Sequence, residues 1–157
     1  MKIKRTTKAL VLFTSLILIG CVTGTRLKDY QPNSLEEKEV RDFMVECFEA
    51  HKVGNSAKFI ACFNDNAEIL FDPPGLGDRI ISKQEAEIEY SNIIYKNLAS
   101  NLFSPKISIM KSGATFTCTT LRIGRSYPAR VTVEHRFDLV KENEKWGIIK
   151  WDWKQYY

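Results

Sequence analysis

Ala129-Arg130-Val131-Thr132-Val133-Glu134-His135-Arg136-Phe137-Asp138-Leu139-Val140 alternates residue by residue between two kinds of side chain. Val131, Val133, His135, Phe137 and Leu139 point one way; Arg130, Thr132, Glu134, Arg136 and Asp138 point the other. A period of two is the strand period, and an apolar side against a polar side describes a sheet with one buried and one wet face. The flanking sequence reads the same way. Ile107 to Met110, a Ser112-Gly113 turn and Thr115 to Ile123 precede the stretch, and a polar Glu142-Asn143-Glu144 turn and Trp146 to Trp153 follow it. Short turns between consecutive strands predict an antiparallel meander over the second half of the chain.

The first half carries the helical period instead. Ser34-Leu35-Glu36-Glu37 is a capping box, in which a hydroxyl and a carboxylate satisfy backbone N–H groups reciprocally. Val40, Phe43, Met44, Cys47 and Phe48 then recur at spacings of three and four, His51 extends the stripe, and Gly54 ends it. A shorter helix over Ser56 to Phe63 presents Phe59, Ile60, Cys62 and Phe63. Asn64-Asp65-Asn66 reads as a turn, Ala67 to Phe71 as a strand, and Asp72-Pro73-Pro74-Gly75-Leu76-Gly77-Asp78 as a loop. A second capping box, Ser82-Lys83-Gln84-Glu85, opens a helix through Ile88, Tyr90, Ile93, Ile94 and Leu98. The class expected is α+β, with a curved antiparallel sheet wrapped around about three N-terminal helices.

The chain opens on Lys2, Lys4, Arg5 and Lys8, runs through the apolar stretch Ala9 to Ile17, and closes on Leu18-Ile19-Gly20-Cys21. A basic head, a short apolar segment and a small-residue cleavage point are the parts of a secretory signal. Ala9 to Gly20 falls well short of the roughly 20 apolar residues that a spanning helix needs. With cysteine directly after the glycine, the segment resembles a bacterial lipoprotein signal. That resemblance implies cleavage before Cys21, lipidation of its sulfur and acylation of the new N-terminus. It also implies a cell-envelope location held by lipid, with Val22 after the cysteine fitting delivery to an outer membrane, facing the periplasm, where the organism has two membranes. Residues 1–20 are thus expected to be signal peptide and 34–157 the folded domain. Residues 21–33, polar and with Gly24 and Pro32, are expected to be the lipidated cysteine and a flexible tether, with a reach of roughly 40 Å for its twelve residues after Cys21.

Without the four basic residues of the signal, 19 Lys and Arg face 19 Asp and Glu, so the remainder is formally neutral. A neutral chain lacks the basic face that phosphates require, which argues against a nucleic-acid partner. Cys47, Cys62 and Cys118 sit in apolar runs and read first as buried packing residues. A Cys47–Cys62 bridge stays open, because geometry decides it. There is no Cys-x-x-Cys, and His51 and His135 are far apart, so no metal site is expected. Gly75-Leu76-Gly77 lacks the lysine and the strand-to-helix setting of a phosphate loop, no serine lies in a nucleophile elbow, and no cofactor is expected.

Gly54-Asn55-Ser56-Ala57-Lys58-Phe59-Ile60-Ala61-Cys62-Phe63, Asp65-Asn66-Ala67-Glu68-Ile69 and the closing Lys145-Trp146-Gly147-Ile148-Ile149-Lys150-Trp151 resemble the nuclear transport factor 2-like superfamily, particularly its SnoaL-like branch. The resemblance spans about residues 34–157. It implies a cone, a bent sheet wrapped around helices, often with an apolar pocket inside and often dimeric. Family members include isomerases, cyclases, dehydratases and many non-catalytic binding domains.

His135, among apolar neighbours, is either a neutral imidazole available as a general base or a core histidine hydrogen-bonded to a tyrosine or a backbone carbonyl. Asp72 is either an acid at a pocket mouth, where the family's enzymes often place one, or a turn aspartate bonding the backbone ahead of the prolines. The steroid-isomerase members use a tyrosine from the first helix, and Ser34 to Val53 contains none. Trp151 and Trp153, with Tyr90 or Tyr95 from the third helix, could line an apolar pocket or simply pack. Two functions follow. One is an envelope lipoprotein that binds a small apolar ligand or an envelope protein without catalysis, using Tyr90, His135, Trp151 and Trp153, with Cys21 lipidated. The other is a SnoaL-like isomerase, cyclase or dehydratase using His135 with Asp72. A homodimer is expected if aromatics of Trp146 to Tyr157 emerge on the open face of the sheet.

Overall fold

The computed structural model describes residues 24–71, 78–92, 102–123 and 130–156. Residues 1–20, expected to be a signal, and Cys21, Asp72 and Tyr95 lie outside the described residues.

Both capping boxes start helices where the sequence places them. Helix α1 spans Leu35–Lys52, and Glu37 N–H donates to the Ser34 hydroxyl at 3.1 Å. The Glu37 carboxylate reaches one residue further back than expected, taking the Asn33 N–H at 2.7 Å. Helix α2 is short, Ser56–Ile60, with Asn55 accepting from Lys58 N–H. Gly54 between them has φ +75°, the left-handed conformation that glycine takes without strain. Strand β1 is Phe63–Phe71, β2 is Arg79–Ile81, and α3 runs over Lys83–Asn92. At its start Ser82 N–H donates to Glu85 Oε2 and Glu85 N–H to Ser82 Oγ. Four long strands follow: β3 Leu102–Met110, β4 Gly113–Ile123, β5 Arg130–Glu142 and β6 Lys145–Tyr156.

The six strands form one sheet in the order β2-β1-β6-β5-β4-β3. The meander β3-β4-β5-β6 is antiparallel throughout, but β1 lies parallel to β6. The sheet is therefore mixed, correcting the expected antiparallel one. Hairpins advertise antiparallel pairing through their turns, whereas the β1–β6 pairing joins strands far apart in sequence, and no local signal reports its direction.

Bulges bend the sheet around the helices. Five steps along β1, from Phe63 to Glu68, match two along β6, and β3 is interrupted between Phe103 and Lys106, where Ser104 has φ +51°. A third bulge lies opposite Asp138/Leu139, leaving Ile149 of β6 without a register partner on β5. Beyond it the β6 alternation is reset, so Ile148 and Trp151 are both buried.

The concave face holds the core. Val133, His135, Phe137 and Leu139 of β5 are buried there with Ala114, Phe116, Cys118 and Thr120 of β4. Of these, Phe137, Leu139, Ala114, Phe116 and Cys118 share one cluster with Met44 and Cys47 of α1, Phe59 and Ile60 of α2, and Tyr90 of α3. Burying each large apolar side chain contributes about 1.5–3 kcal/mol. The convex face carries Thr115, Thr117, Thr119, Glu134, Arg136 and Asp138, in keeping with the β5 alternation. Trp146 and Trp153 pack against the core beside buried Trp151. The β6 bulge and the concave register turn these tryptophans toward the core, while the side chains of Tyr156 and Tyr157, the other aromatics of the expected dimer patch, lie outside the described residues.

Two further expectations change. Cys47 and Cys62 form a disulfide, with Cα atoms 6.1 Å apart, so these two are a cross-link rather than packing thiols, while Cys118 is free and buried. Part of the stretch expected to be a free tether also packs on the fold. Leu27, in a 3-10 turn over Leu27–Asp29, is 4% exposed and joins the core.

Candidate functional site

His135 sits midway along β5, opposite Cys118 of β4 and Trp153 of β6. Inward positions of three adjacent strands thereby bring an imidazole, a thiol and an indole into one row. Thr120 Oγ1 lies 2.9 Å from His135 Nε2, and Trp151 Nε1–H donates to His135 Nδ1 at 3.3 Å. An indole nitrogen can only donate, so Nδ1 accepts. The imidazole proton then resides on Nε2 and is donated to the Thr120 hydroxyl. This is a neutral histidine in one tautomer, oriented from both sides. Burial pushes the Cys118 thiol far up, so it is not a ready nucleophile.

Aromatic rings surround the imidazole. Phe137 stacks on Trp151 with centroids 5.5 Å apart and planes 12° off parallel. Phe59 meets Trp151 edge-on at 5.8 Å, and Tyr90 tilts toward Trp151 at 6.4 Å. Of the residues expected to line a pocket, His135, Trp151 and Tyr90 are thus brought together, and half-buried Trp153 stands beside His135 in register. Asp72 and Tyr95 lie outside the described residues, so neither is placed against His135. Thr120 was missed in the sequence. The alternation Phe116, Cys118, Thr120 signals its inward position, but a threonine in such a run reads as a β-former before it reads as a hydrogen-bond partner. Among the described residues Thr120 and His135 are the buried polar ones, and no carboxylate joins them.

A second polar locus lies near the Glu142–Glu144 turn. Glu39 of α1 takes Lys141 Nζ at 2.8 Å and Trp146 Nε1–H at 3.2 Å. The hydrogen bond from Lys141, then that from Trp146, holds the Glu39 carboxyl below the usual carboxylate range, and the bond to Glu39 raises Lys141. A crevice of about 270 Å³ opens beside it between Glu36 and the β3–β4 turn, and a shallower cleft of about 620 Å³ lies on the other side of Trp146, against Asn64 and Asn143. Neither is lined by His135. Among the described residues no group of three or more His, Cys, Asp or Glu could hold a metal ion, and no helix is long and apolar enough to cross a membrane.

No family model matches the chain, and no curated protein matches it. Solved structures do. A nuclear transport factor 2-like protein of unknown function from Shewanella baltica is 15% identical, with 82% of this chain and 99% of that one covered at a TM-score of 0.63. A CaMKII hub from S. rosetta is 15% identical, covering 80% and 100% at 0.61. A ketosteroid isomerase-like protein from Erwinia carotovora is 12% identical, covering 79% and 98% at 0.58. At these identities the likeness is one of fold, and the fold hosts unrelated functions. The chain has the nuclear transport factor 2-like fold, three helices and a six-stranded, mixed, curved sheet.

Proposed function

We propose that this chain is a lipid-anchored envelope protein whose domain binds a small apolar ligand without catalysing a reaction. The observation that carries the non-catalytic part is the binding of both His135 ring nitrogens inside the fold. A general base needs a free lone pair within reach of substrate, and here the Nδ1 lone pair takes the Trp151 N–H. The ligand site in this reading is the Trp153 edge of the aromatic cluster, where a half-buried indole adjoins His135. The anchor rests on Leu18-Ile19-Gly20-Cys21. The Cys47–Cys62 disulfide supports an oxidising compartment outside the cytoplasm.

Two measurements test the reading. Cys21→Ala should move the chain from the membrane fraction to the supernatant; a variant that stays in washed membranes removes the anchor. Mass spectrometry of organic extracts from the purified chain should find an apolar small molecule, lost in Trp153→Ala. A co-purifying protein with no small molecule would assign the domain to an envelope partner instead. Turnover of any isomerase, cyclase or dehydratase substrate that vanishes in both His135→Gln and Asp72→Asn would overturn the non-catalytic reading.

A further inference from the structure

The segment that the sequence reads as a free tether is docked along the edge of the sheet from Gly24 onward. Arg26 pairs with Phe103 of β3 in an antiparallel bridge, and Ser104 N–H donates to the Thr25 carbonyl at 2.8 Å. Leu27 is buried in the core. The Tyr30 hydroxyl donates to Glu37 at 3.2 Å, and Arg41 donates to the Tyr30 carbonyl. Gly24 itself lies so close to β3 that a Cβ there would meet the Ser104 side chain and backbone. The edge strand is covered by this strap rather than left open for pairing with another chain.

Docking changes the reach of the anchor. Only Val22 and Thr23 lie between Cys21 and Gly24, and three residue steps of about 3.3–3.6 Å span about 10 Å, against roughly 40 Å for a free tether. Resting on the reading that Cys21 is lipidated, we propose that the strap holds the domain flush against the bilayer, with the start of β3 facing the lipid headgroups. The side chains beside the anchor fit that partner. Arg26 and Lys28 on the strap and Lys106 on β3 are exposed, with Asp29 the acidic residue among them. Basic groups held within a Debye length of a membrane surface are attracted to anionic headgroups. The partner is the phospholipid surface into which the chain's own acyl groups insert.

The test uses the full, processed chain in vesicles of phosphatidylcholine and phosphatidylglycerol. A fluorophore is attached at Lys106→Cys, or at Glu142→Cys on the turn at the other end of β5, and quenched by a lipid carrying its quencher at headgroup depth. Quenching at least several-fold stronger at position 106 than at 142 is expected. A twelve-residue Gly/Ser insertion between Val22 and Thr23 should abolish that difference while the chain stays in the membrane fraction. Equal, weak quenching at both positions in an anchored chain overturns the flush orientation and leaves the anchor intact. A chain absent from the vesicles overturns the anchor, and the orientation with it.

Discussion

His135 is fixed by one donor and one acceptor, and that pairing makes its removal costly. In His135→Ala the Trp151 N–H and the Thr120 hydroxyl lose their partner inside a close-packed cluster, and a cavity remains. The loss should be about 2–4 kcal/mol by urea denaturation, whereas Thr120→Val, which removes a single hydrogen bond, should cost about 1 kcal/mol. Equal, negligible losses would mean that the buried network is not formed. Glu39 gives a pH signature. Its folded-state carboxyl is lowered chiefly by Lys141, so its contribution is complete above the unfolded value of 4.5 and is lost as pH falls through the folded one. Lys141 is raised, so its contribution is complete below 10.5 and is lost as pH climbs through its folded value. Glu39→Gln should therefore flatten the acid limb of Tm against pH and leave Tm near neutrality lower than the parent's. The inward position of His135 was legible from the alternation of Ala129–Val140. Its partners were not, because Thr120 and Trp151 meet it across strands whose register the sequence does not print.

At the scale of elements, the caps at Ser34 and Ser82 were legible because each needs only a hydroxyl and an acid three residues apart. The bulges were not, since the irregularity opposite Asp138/Leu139 is defined by pairing between strands, and the break in the β6 alternation does not say which strand it faces. The Cys47–Cys62 link joins α1 to the residue before β1 across a separation of 15, for which chain-entropy reasoning gives about 3 kcal/mol. Thiol counting checks it. With Cys21 changed to Ala, one cysteine should react in denaturant without reductant and three after reduction, and Cys118 should stay unreactive in the native state. Three reactive thiols without reductant would show that the bridge does not form. The β3–β4 turn offers a sharper mutational test. Gly113 has φ +155°, and a Cβ there would run into the Leu139 carbonyl oxygen. Gly113→Ala should destabilise by about 1–3 kcal/mol, with little compensation available from a backbone neighbour.

Over the whole molecule, the convex face decides how the domain meets its surroundings. Thr115 donates to Asp138, Arg136 pairs with Asp138, and Lys150 pairs with Asp152 and Glu68. Among the described residues this face is laced with charges and threonines and lacks the apolar centre of a stable interface. Light scattering of the Cys21→Ala chain at micromolar concentration should give a monomer mass, and a dimer mass would require an interface elsewhere. The place of β6 in the sheet has one more outcome. β6, the last of the described strands in chain order, is a central one, flanked by β1 on one side and β5 on the other, so without it the sheet falls into two pieces. Contacts between segments so far apart form late, after the cost of closing the intervening loop has been met. A ribosome releasing this chain from its N-terminus therefore withholds the keystone until the twelve residues Lys145–Tyr156 emerge. Until then the chain remains threadable, and its sheet is completed only when β6 arrives.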